Sequence, residues 1–298
     1  MPWGNNTYIG RTFADDTFVG DDSLKRIDLH THAKISKLFP FEMRSMHQMI
    51  AQARRVGLDG FALVEHLHAS NFWDVHQVLG RTFAYADGVY RTEGGFHILT
   101  GAELSLMDHG RPADLVLLGT LDQLRRFNGR LTRPATGGYR PPLAEAVAAA
   151  RDAGLFIIGA HMFRQGKELA ALGRELASLD AVEANGKDFR KDERVYDAAR
   201  RLGLPVVGGS DAHFWPQIGI KATLLPINEI TQDRVTTAIR DGLAAVESLD
   251  YGPVAVQISG AYKRILKARQ AGQRHAALRD QASRFGRPAS EAEGVVAR

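Results

Sequence analysis

The chain lacks cysteine entirely and contains no long hydrophobic run among its 298 residues. The absence of cysteine excludes disulfides, thiolate metal ligands and cysteine nucleophiles, and it fits a reducing compartment. No apolar stretch approaches the roughly 18 residues that a membrane span needs. The N-terminal residues show no basic start followed by an apolar run, so no signal peptide is expected. We therefore expect a soluble, cytoplasmic protein without a membrane partner.

Acidic residues are scarce at one end of the chain, in residues 261–298. This segment contains nine Lys or Arg and three Asp or Glu, a net charge of +6, whereas the whole chain has +4. The rest of the chain is therefore slightly acidic. Aromatic side chains that could stack on bases are sparse in this basic tail, where Tyr262 and Phe285 are the two examples. A solvated tail is the favoured interpretation, and nucleic-acid binding through the tail is the alternative.

Hydrophobic residues make up 44% of the chain, enough to bury a large core. Short apolar runs that predict strands lie at 24–29, 60–64, 96–102, 114–119, 155–160, 180–184 and 205–209. Between them, apolar residues recur at the spacing of a helix face, as in Met46, Met49, Ile50 and Ala53. This alternation predicts an α/β fold with a parallel sheet, open or closed into a barrel. We expect an irregular lead-in over 1–23, one domain over 24–260, and a basic helical tail over 261–298 with a disordered end at 286–298.

Histidines and carboxylates cluster at the ends of the predicted strands. The first strand ends in Asp28-Leu29-His30-Thr31-His32. Because alternate residues of an extended chain point to the same side, His30 and His32 can bind one metal ion together. The later strand ends carry similar residues: Glu65 and His66 after the second, Glu103 after the third, His161 after the fifth, and Asp211 and His213 after the seventh. Active sites of barrels are built at such strand ends, so we expect a metal site there.

In combination and order, these motifs resemble the polymerase and histidinol phosphatase (PHP) family of metal-dependent phosphoesterases. The resemblance extends from about residue 26 to 215. It implies a distorted seven-stranded β/α barrel that holds two or three divalent metal ions, of zinc, manganese, magnesium or iron. Carried over by position, the implied ligands are His30, His32, Glu103 and Asp211 for one ion, Glu103 and His161 for a second, and His66 and His213 for a third.

Two positions depart from the family pattern. Lys34 stands where many members have a ligand of the third site, and the strand after Glu103 opens with Asp114 where many have histidine. Asp114 can still supply an oxygen ligand, whereas a protonated lysine cannot ligate. We infer that the third metal is weak or absent and that Lys34 replaces part of its charge. The alternative is that Lys34 is an ordinary exposed loop side chain.

The predicted enzyme hydrolyses a phosphoester, either a small phosphomonoester or a nucleotide. Two divalent ions bridged by a carboxylate can activate a water near neutral pH and neutralise a phosphoryl group. The catalytic roles are therefore assigned to Glu103, Asp211 and Lys34. Arg164 and Lys187 follow strand ends and are candidates for binding phosphate oxygens, and surface salt bridges are the alternative for both.

Two other functions stay open. An amidohydrolase-like metal hydrolase also begins with a His-x-His motif, but it usually offers a bridging lysine and a lone final aspartate. Here the bridge candidate is Glu103 and Asp211 is paired with His213, which favours phosphoester chemistry. A non-catalytic binding or regulatory domain with a degenerate third metal site is the other alternative, suggested by Lys34 and Asp114. The oligomeric state and the substrate are not predicted.

Overall fold

The computed structural model describes residues 7–9, 24–34 and 40–284. The predicted lead-in over 1–23 therefore lies outside the described residues except for 7–9, and the predicted disordered end at 286–298 lies outside them entirely. The chain divides into two compact units, Met1–Ala255 and Val256–Arg298. The first unit contains the sheet and every side chain of the candidate site.

Twelve strands occur within the described residues. They are β1 (Thr7–Ile9), β2 (Leu24–Thr31), β3 (Gly60–Leu63), β4 (Ala84–Ala86), β5 (Val89–Arg91), β6 (His97–Asp108), β7 (Arg111–Leu118), β8 (Phe156–Gly159), β9 (Ala181–Asn185), β10 (Val206–Gly209), β11 (Lys221–Pro226) and β12 (Ala245–Ser248). Their order in the sheet is β1-β12-β11-β2-β3-β6-β7-β8-β9-β10, with the β4–β5 hairpin added beside β6.

Nine of these strands, from β12 to β10 along that order, form a nearly closed, barrel-shaped sheet. The opening left in this barrel narrows where Thr31, at the end of β2, forms a β-bridge with Ala212 just after β10. The seven predicted strands coincide with β2, β3, β6, β7, β8, β9 and β10. The α/β barrel class is thus confirmed, whereas β11 and β12 extend the sheet beyond the predicted seven strands.

The prediction of a parallel sheet is wrong around β7, which runs antiparallel to both β6 and β8. The chain reverses between β6 and β7 at His109 and Gly110, which both have positive φ, 46° and 74°. Two consecutive residues of this kind make a tight hairpin turn, so no crossover helix is needed there. β11 is also antiparallel to both of its neighbours, β2 and β12.

Seven α-helices accompany the sheet in the described part of the chain. They are α1 (Met43–Arg55), α2 (Phe72–Thr82), α3 (Leu121–Arg130), α4 (Leu143–Ala153), α5 (Asp192–Leu202), α6 (Gln232–Arg240) and α7 (Gly252–Arg284). The predicted apolar face of α1 is buried, with Met46 and Ala53 fully inaccessible and packed in one cluster with Phe61 of β3. Removing such faces from water stabilises the fold by about 25 cal/mol per Å² of apolar surface.

The last helix, α7, covers the predicted tail helix and starts before residue 261. It crosses the boundary between the two units at residue 255. None of the helices in the described ranges combines the length and apolar character that crossing a membrane requires.

Candidate metal centre

β2 brings two histidines to one point at the strand end. His30 and His32 are both buried, and their Nε2 atoms lie 3.2 Å apart. Asp28 fixes this segment, because its carboxylate accepts backbone N–H groups of Ser210 at 2.9 Å and Gly219 at 3.0 Å. Burial raises the pKa of Asp28 to about 6, although these hydrogen bonds oppose the rise. The predicted pairing of the two rings follows directly from the two-residue period of the strand.

Two carboxylates meet these imidazoles from other strands. Asp211 Oδ1 lies 3.8 Å from His30 Nε2 and 3.4 Å from His32 Nε2. Glu103 Oε2 lies 3.5 Å from His32 Nε2, and its Oε1 lies 3.9 Å from His30 Nε2. Four donors bound to one tetrahedral ion at about 2.1 Å would lie about 3.4 Å from each other. The spacing and the mixed nitrogen and oxygen donors therefore fit a divalent ion.

Two further clusters adjoin this one. His161 Nε2 lies 3.3 Å from Glu103 Oε1 and 3.4 Å from Asp114 Oδ2. The ring centroid of His32 lies 4.7 Å from that of His66 and 4.2 Å from that of His213. The structure thus brings all eight predicted ligand residues together in three groups: His30–His32–Asp211, Glu103–Asp114–His161 and His32–His66–His213.

A buried oxygen supports the fit to a cation. Asp114 is fully buried, and its Oδ1 has no hydrogen-bond partner among the described residues. Burying a carboxylate oxygen without a partner costs free energy unless a cation or a donor binds there. Burial raises the pKa of Glu103, but His66 and His161 outweigh it and hold the pKa well below its usual range. The cluster thus presents ionised oxygen donors.

Glu183 of β9 contacts one residue in each of two groups, His30 and His161. Its role was not predicted from the sequence. Its Oε1 lies 2.9 Å from His30 Nδ1, and its Oε2 accepts the backbone N–H of His161 at 2.9 Å. Burial alone would lower the pKa of His30, but Glu183 and Asp211 raise it to about 9. A carboxylate on Nδ1 fixes the ring so that Nε2 faces the cluster.

The backbone at the cluster is unusual at three positions. His161 and Asp211 are not glycines, yet they have positive φ angles of 30° and 51°. A Cβ atom on Gly209 would lie 2.6 Å from His30 Cβ, so only glycine lets β10 pass this close to β2. Local strain of this kind is common where a site imposes the geometry.

Two cationic side chains border the cluster at Asp211. Arg164 Nη1 donates to Asp211 Oδ2 at 2.6 Å and Nη2 donates to Asn185 Oδ1 at 2.8 Å. Lys187 Nζ lies 3.0 Å from Asp211 Oδ1. Burial raises the pKa of Asp211, but Lys187 and Arg164 outweigh it and hold the pKa well below its usual range. Each cation pairs with the buried Asp211, and Arg164 also forms an ion pair with Asp188, whose Oδ2 lies 2.9 Å from its Nη2.

Lys34 is buried, so the alternative of an exposed loop side chain is wrong. Its residue exposure is 3%, and its Nζ donates to Asn71 Oδ1 at 2.8 Å and lies 3.6 Å from Glu65 Oε2. Glu65 also accepts the backbone N–H groups of Ala33 and Lys34. The ammonium is therefore paired with the neighbour of His66 in the chain. A role for its charge in the reaction stays a prediction.

The sequence analysis also missed Lys167 and Asn185. Lys167 Nζ donates to Asp114 Oδ2 at 2.5 Å. Asn185 ends β9, and its side chain accepts from Arg164. The position of Asn185 at a strand end was a usable signal, whereas Lys167 lies eight residues past the end of β8, in a loop whose path the sequence does not specify.

Comparison with known proteins identifies one family segment. A family model described as PHP-associated matches residues 190–243. This match, together with the barrel fold, confirms the resemblance to the PHP family. No curated protein matches the chain significantly.

Several solved structures share the fold. PsfC from Pseudomonas syringae PB-5123 is 24% identical with a TM-score of 0.66, and the match covers 82% of this chain and 99% of PsfC. The lesion-specific endonuclease Q of Pyrococcus furiosus is 19% identical with a TM-score of 0.58, over 73% of this chain and 56% of that one. An endonuclease Q bound to a 27-mer duplex with an abasic lesion is 17% identical with a TM-score of 0.57, over 73% and 57%. The chain thus spans little more than half of either endonuclease chain. These structures share the barrel fold with this chain, and the clustered donors of the chain could hold metal ions.

Proposed function

We propose that the protein is a metal-dependent phosphoesterase. The observation that carries this proposal is the position of Asp211, which contacts His30 and His32 on one side and Arg164 and Lys187 on the other. A candidate metal ligand is therefore surrounded by fixed positive charge. An anionic substrate group bound beside this ligand set would be stabilised by both cations.

The residues that would hold the metal ions are the three groups described above, for a total of two or three ions of zinc, manganese, magnesium or iron. Bound divalent ions would supply a water of lowered pKa and would neutralise charge on a phosphoryl group. Glu103 lies between the groups, because its oxygens lie near His30, His32, His66 and His161. We therefore assign it the bridging role, and we assign Asp211 to the first ion.

The remaining polar side chains would bind the phosphate group or orient the metal ligands. Arg164 offers several N–H donors in one plane, a geometry that suits two oxygens of a phosphate, and Lys187 adds a compact positive charge. Glu183 keeps the Nδ1 proton of His30 in place, which leaves the Nε2 lone pair for an ion. We assign to the buried Lys34, whose ammonium lies 3.6 Å from Glu65 Oε2, the replacement of part of the charge of a third ion.

The proposed substrate is a small phosphomonoester or a nucleotide. We assign the activity to residues 24–260 of a cytoplasmic protein, and we assign no catalytic role to the basic tail. A phosphodiester in nucleic acid is the neighbouring substrate class, since endonuclease Q has the same fold. The assay below therefore includes both classes of ester.

Hydrolysis of aryl esters by the manganese-loaded protein tests the proposal. We expect turnover of an aryl phosphate monoester, and Arg164→Met should raise the KM for this substrate by about tenfold because charge-assisted hydrogen bonds are worth about 1.5–3 kcal/mol. Arg151→Met is the matched control, because Arg151 pairs with Asp180 outside the cluster.

Three results would contradict the proposal in different ways. Turnover of an aryl carboxylate ester or anilide alone would indicate amidohydrolase-like chemistry. Turnover of an aryl phosphodiester alone would move the substrate to nucleic acid. Absence of turnover with every divalent ion, despite bound metal, would indicate a binding domain.

A further inference from the structure

Lys167 occupies one of the oxygens that a metal ion would need. Its Nζ lies 2.5 Å from Asp114 Oδ2, and the same oxygen lies 3.4 Å from His161 Nε2. Asp114 is one of the three members of the Glu103–Asp114–His161 group. An ion bound by these three residues would therefore contact the same oxygen of Asp114 as the ammonium of Lys167.

The two partners of this ion pair are unequally exposed. Asp114 is fully buried, whereas the side chain of Lys167 retains 37% of its exposure. The ammonium therefore reaches the carboxylate from the solvent side and can return to solvent at low cost. Asp114 cannot follow, because it lies on β7 between β6 and β8. Exchange at this oxygen thus requires movement of the lysine alone.

The loop after β8 holds Lys167 at this position. The backbone N–H of Arg164 donates to His161 O, and that of Lys167 donates to Arg164 O, both at 2.9 Å. These two successive turns place His161, Arg164 and Lys167 at intervals of three residues, and each side chain contacts a residue of the clusters. The backbone hydrogen bonds of the loop therefore position Lys167 for its contact with Asp114.

The first group of ligands differs in this respect. Lys187 also contacts its carboxylate, at Asp211. However, His30 and His32 together with Glu103 still offer three donors there. The Glu103–Asp114–His161 group has a single imidazole and two carboxylates, and the ammonium contacts Oδ2 of one carboxylate while its Oδ1 has no partner among the described residues. Competition at Asp114 Oδ2 consequently weakens this group more.

We propose that Lys167 competes with a divalent cation for Asp114, so that the Glu103–Asp114–His161 group releases metal more readily than the His30–His32–Asp211 group. Two carboxylates and one imidazole favour a hard cation such as Mn²⁺ or Mg²⁺ there. This inference rests on the metal centre of the proposed function. It adds that Lys167 of this chain lowers the affinity of that centre for metal.

Titration with Mn²⁺ at constant neutral pH tests this inference, with free Mn²⁺ followed by its electron paramagnetic resonance signal. Lys167→Met keeps the length of the side chain and removes its charge. We expect it to tighten the class of sites that Asp114→Asn removes by about tenfold, equivalent to about 1.4 kcal/mol. Lys167→Arg retains the charge and should resemble the original protein.

Two further variants locate the effect. Asp114→Asn removes the negative charge that binds both cations and should abolish one class of sites while leaving the others filled. Lys25→Met is the matched control, because Lys25 pairs with Asp59 away from the clusters and should not alter Mn²⁺ binding. Circular dichroism of each variant confirms that it is folded.

The inference is overturned if Lys167→Met leaves the class that depends on Asp114 unchanged or weakens it, since Lys167 would then merely orient Asp114. It is also overturned if Asp114→Asn removes no class of sites. Failure of the proposed function has a different signature: the binding classes would respond as expected, but no phosphoester would be hydrolysed.

Discussion

Buried histidines occur both in the metal-ligand clusters and in α2, but the charged groups around them differ. His30 lies among Glu183, Asp211 and Glu103, and these carboxylates raise its pKa to about 9 against the effect of burial. At His76 of α2, burial, with a smaller effect of Arg125, lowers the pKa to about 3, and no carboxylate of the described residues counters this shift. Its Nδ1 lies 3.3 Å from the Tyr90 hydroxyl. Burial alone therefore does not mark a cation site, whereas converging carboxylates do.

The strongest test of this comparison removes an imidazole from the clusters. His161→Ala should abolish metal binding at the Glu103–Asp114–His161 group and lower hydrolysis by several orders of magnitude, because a ligand and its ion are lost together. Metal analysis and steady-state kinetics measure both effects. His97→Ala is the control, since His97 lies at the start of β6 outside the three groups. Unchanged turnover in His161→Ala would refute the ligand assignment.

A smaller effect is expected from a carboxylate that only supports the ligands. Glu183→Gln keeps the shape but removes the charge that holds His30 Nδ1, so metal affinity should fall by about 10–100-fold, the usual cost of losing such a partner. Competition with a chelator measures this affinity. Asp108→Asn is a suitable control, because Asp108 is also buried but accepts the backbone N–H of Leu143. Equal losses in the two variants would contradict a specific role for Glu183.

The last test concerns the other region and measures a change in folding stability. The unfolded chain binds a proton at His76 near its ordinary pKa of 6.5, whereas the folded protein resists protonation down to about 3. Folding stability should therefore fall as the pH decreases from about 6.5 to about 3, by at most about 1.4 kcal/mol per pH unit.

Thermal unfolding across that pH window measures the effect. His76→Phe should show a shallower loss of Tm on acidification than the original protein, because phenylalanine takes up no proton. Its metal content should not change. Parallel pH profiles for the two proteins would show that His76 does not titrate as the comparison requires.

Periodicity alone predicted much of the scaffold and the ligand pairs. His30 and His32 were expected on one side of a strand, and their Nε2 atoms indeed lie 3.2 Å apart. The strand-end rule also brought Glu103, His161 and Asp211 to one place, although they are far apart in sequence. Both inferences use local geometry, which the sequence specifies directly.

Other features depend on contacts between distant segments and could not be predicted this way. Glu183 meets His30 across 153 positions, and nothing in its spacing distinguishes it from any other buried strand residue. Lys34 was given an exposed alternative because lysine is mostly a surface residue, and the acceptors Glu65 and Asn71 become visible only in the fold. The His109-Gly110 dipeptide lies at the turn before β7 and is a turn signal that the sequence shows. It was not used to predict the direction of β7.

The left-handed backbone at His161 and Asp211 has a consequence for improving this protein. Glycine would adopt both conformations freely, and each such conformation costs other residues about 1–3 kcal/mol. Selection for thermal resistance alone would therefore favour glycine at the two positions where imidazole and carboxylate are needed for metal. Directed evolution for heat tolerance has to screen for retained ions as well, or it will gain stability by erasing the centre.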